Sequence, residues 1–145
     1  MVKKISLFVS MALALFMSFK LLPEVIMYLS MPNSLEADQI WTIIVFLFSA
    51  PILIIALVVA IKSFRKRAYE KFAVWLNFSG AFTICIYEVG DIFPGFKLLF
   101  DYGDYSLPFF AILAQLLVSL IAIVATMVFA VYPVFVKRSE NDIYY

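Results

Sequence analysis

Histidine is absent from this sequence, and cysteine occurs once, at Cys85. Without histidine the chain lacks the usual axial ligand of a membrane haem, the commonest ligand for zinc or copper, and the usual general base. A lone cysteine forms no intrachain disulfide and no C-x-x-C pair, which argues against thiol redox chemistry. Glycine is scarce, with four residues, and none of them builds a phosphate-cradling loop. No G-x-S-x-G elbow and no H-E-x-x-H metal motif occurs. The chain is therefore not expected to be an enzyme, and no catalytic, cofactor-binding or metal-ligating residues are expected. Charge is scarce too. Asp, Glu, Lys and Arg make up 14% of the residues, against about 25% in soluble domains. No basic stripe with interleaved aromatics occurs, so nucleic acid is not an expected partner.

What fills the sequence instead is apolar. The hydrophobic set reaches 66%, with sixteen Phe and eight Tyr in 145 residues. A soluble globule of this size leaves much of its surface in water, and there is too little polar material to cover it. A lipid bilayer is the solvent that fits. The length is one domain's worth of chain, and residues 1–145 are read as a single domain.

Runs without charge mark the expected spans. Residues 39–61 and 105–136 are each long enough to cross about 30 Å of hydrocarbon as a helix, which takes about 20 residues. Residues 72–87 suffice if Glu88 lies at the interface. Residues 5–19 suffice if Lys20 snorkels and the helix runs on to Met31. The expected fold is an all-α integral membrane four-helix bundle with short loops and spans near 5–29, 40–61, 72–89 and 107–136. Lys3 and Lys4 precede an apolar stretch, as in a signal peptide. Too little apolar chain precedes Ala12-Leu13-Ala14 for cleavage there, so this segment is read as a retained span. Pro32-Asn33-Ser34 is expected to turn the first connection, residues 62–71 to form the second, and residues 91–104 the third, with Pro94-Gly95 as a turn signal.

Charge distribution sets the orientation. Lys3, Lys4, Lys62, Arg65, Lys66, Arg67, Lys71, Lys137 and Arg138 fall on one side of a four-span arrangement, and only Lys20 and Lys97 on the other. Lys and Arg are retained in the cytoplasm, so both termini are expected there. The expected location is a bacterial inner membrane. The loop carrying Arg65, Lys66, Arg67 and Lys71 is foremost a topology anchor. It is also capable of meeting anionic lipid or a cytoplasmic partner.

Few polar groups fall inside the spans. Lys20 and Glu24 are spaced i, i+4 and could pair on one helix face, with Pro23 between them as a source of a kink. Asn77, Gly80, Ala81, Ile84 and Glu88 form one stripe of the third span. It reads most simply as a helix-packing face, since small residues allow close approach and Asn bonds across the contact. The sharper reading makes Glu88 a proton or cation site. Gln115 lies inside the fourth span on a face with Ala111, Ala114, Val118, Ala122 and Ala125, again a packing pattern. Lys20, Glu24, Glu88 and Gln115 all fall in the outer half and form the candidate polar intramembrane site. Ala56 and Ala60 make a small-xxx-small pair, and Pro51 lies inside the same span.

The tail Val136-Lys137-Arg138-Ser139-Glu140-Asn141-Asp142-Ile143, with Leu22-Pro23 closing the first span and Pro51 central in the second, resembles a family of small four-span bacterial inner-membrane proteins of unknown function. Members carry a Ser-Glu-Asn-Asp-type tail. Here it ends Ile143-Tyr144-Tyr145 where the family has Leu-Thr-Val. The resemblance implies a four-span fold and supplies no activity. A chain rich in packing faces and poor in reactive groups is expected to act by helix–helix contact, with a membrane-protein partner or with itself. An accessory subunit, a regulator and an immunity protein against a membrane-inserting toxin all fit. The alternative is a small oligomeric transporter or channel working through Glu88.

Overall fold

The computed structural model describes residues 2–101 and 107–135. Over these residues the chain is all-helical. Its elements are α1 (Val2–Lys20), α2 (Leu22–Leu29), a 3-10 turn at Pro32–Ser34, α3 (Ala37–Ser63), α4 (Ala68–Asp101) and α5 (Leu107–Phe135). Taking α1 and α2 as one unit, four helical units among the described residues are long and apolar enough to cross a membrane.

Local sequence explains the element ends. Pro23 has no N–H to offer to the turn before it. The chain tightens there, with Leu21 N–H bonded to Ser18 O at 3.1 Å, and α2 then restarts with Val25 N–H on Leu21 O at 3.0 Å. The helix of the first span is thus interrupted at Leu21, two residues before the proline. At α3, Glu36 and Gln39 form a reciprocal capping box, with the Glu36 N–H donating to Gln39 Oε1 at 3.1 Å. Pro51 lies inside α3 without ending it.

Two connections differ from the sequence reading. The second is only residues 64–67, because α4 already begins at Ala68. The third span does not stop at 89, and residues 91–101 of the expected third loop are helical, with Pro94 inside α4. A proline costs a helix one hydrogen bond, but an apolar surrounding penalises unpaired backbone more, so the helix persists where neighbours support it. That support is visible. Gly95 comes so close to α5 that a Cβ there would sit 3.1 Å from Leu116 Cδ2. Beyond it, Phe96 stacks on Phe100, whose ring meets the buried Phe109 edge-on at 6.2 Å.

Side-chain pairings fix the packing. Ser6 and Ser10 bond to Phe129 and Thr126, so α1 and α5 are antiparallel. Ser18 meets Ser49 and Phe8 stacks on Phe64, which makes α1 antiparallel to α3. Thr42 pairs with Tyr87, and Gly80 faces Leu53, so α3 and α4 are antiparallel. α1 and α4 are therefore parallel and touch along the short diagonal, with α3 and α5 flanking them. Small side chains make this possible. Ala14, Ala56, Ala60, Ala73 and Ala81 are all buried at helix crossings. The outer surface is apolar, with Phe16, Phe48, Ile55, Val58, Ile121 and Val128 exposed. In water such a surface would drive aggregation, whereas lipid tails accept it.

Cys85 offers a direct check of this packing. It is 3% exposed and its thiol faces Ile123 O at 3.9 Å. A membrane-permeant maleimide is expected to leave it unmodified in mild detergent and to label it rapidly in SDS, since buried thiols are inert. Fast labelling of the folded protein would contradict the α4–α5 contact.

Candidate functional site

Glu88 projects from α4 into the bundle and is 5% exposed. α4 runs on from it to Asp101, so the carboxylate is not at a helix end as the sequence reading had it. Lys20 at the end of α1, Glu24 in α2 and Asp91 one turn along α4 all lie within electrostatic range of it. Next to it in sequence, Tyr87 faces α3, where its hydroxyl and that of Thr42 are 2.8 Å apart. Thr42 also reaches back to Asp38 O at 3.0 Å. A groove of about 480 Å³ opens on this side, lined by Asp38, Trp41, Thr42, Tyr87 and Asp91 among others. Glu88 is not among the residues lining this groove.

The polar set expected in the outer half is thus brought together in part. Lys20 and Glu24, both exposed, lie within electrostatic range of the buried Glu88. Lys20 and Glu24 fall on different helices because of the break at Leu21, and no ion pair joins them among the described residues. Gln115 is elsewhere, exposed on α5. A carboxylate with a lysine nearby is able to hold a proton or a cation, but it forms no nucleophile–base pair. No group of three or more His, Cys, Asp or Glu is placed to share a metal ion among the described residues.

The two packing faces fare differently. Asn77, Gly80, Ala81, Ile84 and Glu88 are the most enclosed stripe of α4. On α5 the bundle is met by Phe109, Ile123, Thr126 and Ala130. Ala111, Ala114, Gln115 and Val118 are exposed, and Ala122 and Ala125 are half-buried. The expected packing face of α5 is therefore open over its first half and only partly covered by the chain beyond it. Only 11% of the apolar stretch of α5 is buried, against 33% for α3 and 44% for each of the other two units. No family model, curated relative or solved structure matches the chain. The tail motif, residues 136–143, lies outside the described residues.

The sequence reading had Asn77 bonding across a helix contact but did not name its partners. Asn77, fully buried, donates from Nδ2 to Ser10 Oγ at 3.0 Å, and Ser10 Oγ donates to Thr126 O at 3.4 Å. Thr126 in turn bonds back to Ala122 O at 2.7 Å. This ties α1, α4 and α5 at one level. Ser6, Ser10, Ala14 and Ser18 recur every four residues along α1, and that spacing was the available signal. Arg65, Lys66, Arg67 and Lys71 are exposed at the α3–α4 end of the bundle. There Arg67 and Lys71 share a recess with Lys3.

Proposed function

We propose that this protein is a non-enzymatic, multi-pass component of a bacterial inner membrane, with both termini cytoplasmic, and that it acts through helix–helix contact. The contact surface is the outward face of α5, and its occupant is another transmembrane helix, on a second protein or a second copy. The observation that carries this reading is the exposure of Ala111, Ala114, Gln115 and Val118 on the least enclosed helix of the bundle. Small side chains permit close approach, and an amide facing lipid gains a hydrogen bond only when a partner supplies one. The clustering of Lys3, Arg67 and Lys71 at one end supports the orientation, since Lys and Arg in short loops are held in the cytoplasm. An accessory subunit, a regulator or an immunity protein would each use such a face.

The test is association in mild detergent and in vesicles. Interhelical bonds of this type contribute about 0.6–2 kcal/mol, so Gln115→Leu is expected to weaken association about threefold to thirtyfold. Ala114→Leu should add a steric block and abolish it. Ile55→Leu, on the exposed side of α3, should change nothing. Unchanged association in both α5 variants would remove the reading.

A second reading, a small transporter or channel, is favoured by the enclosure of Glu88 with Lys20 in range. Ionisable groups inside membranes mark ion and proton pathways. It predicts that Glu88→Gln abolishes flux from reconstituted vesicles while the protein stays folded. Equal flux in wild type and variant, or none in either, would dispose of it.

A further inference from the structure

We propose that the recess between α1, α4 and α5 at the basic end of the bundle binds the phosphate of an anionic phospholipid. This rests on the chain lying in a bilayer but not on which helix α5 contacts. The recess measures about 780 Å³. Three cations line it, Lys3 from the first turn of α1 and Arg67 and Lys71 from the start of α4, against one carboxylate, Glu70. The charge balance of the lining is therefore positive.

The recess is also amphipathic in the order a lipid demands. Trp75 follows Lys71 by four residues, so both project from the same side of α4, with the exposed ring one turn further along the helix from the basic end. Val134, in the last turn of α5, adds an apolar wall. Phosphate charge would sit at the level of the lysines, and the glycerol and upper acyl chains would lie against Trp75 and Val134. Trp at such a level is the ordinary interfacial anchor. Two of the three helix ends at the recess, those of α1 and α4, are N-termini, whose partial positive charge adds to the field. Lys4, next to Lys3, is engaged elsewhere, with its ammonium 4.7 Å from the Phe64 ring centroid. The charge lining the recess is thus a selected subset of the basic residues at this end, which distinguishes it from a diffuse topology anchor. Basic recesses between transmembrane helices are a recurrent means of holding anionic head groups.

The experiment is native mass spectrometry of the full chain in a neutral detergent. The protein is titrated separately with dioleoyl phosphatidylglycerol, dioleoyl phosphatidylcholine and inorganic phosphate. Phosphatidylglycerol is expected to form a one-to-one adduct well before phosphatidylcholine, with inorganic phosphate unable to displace it. Lys3→Ala with Lys71→Ala should weaken that adduct about thirtyfold. Lys62→Ala with Lys66→Ala removes the same charge from the same end, outside the recess, and should leave the adduct in place. Lys3→Arg with Lys71→Arg should retain it and guards against a folding artefact. Equal loss in the two alanine pairs, equal binding of the two lipids, or displacement by inorganic phosphate would each overturn the proposal. So would binding that appears only after removal of residues 136–145, which would assign the recess to the chain's own tail. Failure of the chain to fractionate with membranes would instead strike the bilayer reading itself.

Discussion

Gly80→Val is expected to abolish the folded bundle rather than weaken it. Gly80 is fully enclosed where α4 crosses α3, and even a Cβ there would lie 2.7 Å from Leu53 Cγ and 2.9 Å from Leu53 Cδ2. Leu53 is 0% exposed and has nowhere to retreat. The contact to Cγ matters most, because that atom cannot swing aside without moving the whole side chain. Adding single methyl-sized groups to a packed core costs about 1–3 kcal/mol, which is the expectation for Gly80→Ala. Valine adds two further methyl groups at the same crossing. Its cost is expected to exceed about 3 kcal/mol, a large part of the 5–15 kcal/mol that holds a typical domain together. Thermal melting and size-exclusion profiles in mild detergent give the readout. Gly80→Ala should melt lower but remain monodisperse, and Gly80→Val should aggregate. Combining Gly80→Val with Leu53→Ala returns volume to the crossing and should recover part of the loss. Wild-type melting by Gly80→Val would mean that α3 and α4 do not approach as described.

Ser10→Ala should be the costliest of the conservative hydroxyl removals, and a second substitution should rescue it. Ser10 Oγ is the acceptor for Asn77 Nδ2 and the donor to Thr126 O. Its loss leaves a buried amide with no partner on Nδ2, while Asn77 Oδ1 already has none. An unsatisfied buried polar group costs about 1–3 kcal/mol. Replacing both partners by apolar groups of similar shape is close to neutral by the same accounting. The double variant Ser10→Ala/Asn77→Leu should therefore unfold at higher denaturant than Ser10→Ala alone. SDS titration in mixed micelles measures this. Additive destabilisation in the double variant would show that the junction does not couple α1 to α4. Ser6→Ala strands the Phe129 carbonyl, which has no regular helical donor because Pro133 stands four residues on, but that bond is only part-buried and its loss should cost less.

The first, second and fourth expected spans match the helices because long apolar runs dominate everything else. The second span is the clearest case, since residues 39–61 carry no charge and α3 covers Ala37–Ser63. The end of the third was misread because Asp91 and Pro94-Gly95 are strong turn signals in isolation. What overrides them is tertiary: Gly95 against Leu116 and the Phe96, Phe100 and Phe109 rings hold the helix together. The stripe from Asn77 to Glu88 could be read because a glycine and an asparagine stand out on an otherwise bulky helix. On α5 the same reasoning fails. Ala111, Ala114, Ala122 and Ala125 do share one side of α5, but a uniformly apolar surface gives no contrast between lipid and protein, and the helix meets the bundle mainly through Phe109, Ile123, Thr126 and Ala130. The pairs Thr42–Tyr87, Ser18–Ser49 and Asn77–Ser10 depend on the axial register between helices, which no local pattern encodes.

The most direct test of helix–helix contact through α5 is site-specific photo-crosslinking in intact membranes. A photoreactive side chain is placed at position 115 or 118, facing outward on α5, and in parallel at position 55, facing outward on α3. The account predicts one adduct of defined mass from 115 and 118, lost when Ala114→Leu is added, and none from 55. Lipid adducts alone from all three positions, or the same protein adducts from α3 as from α5, would contradict it.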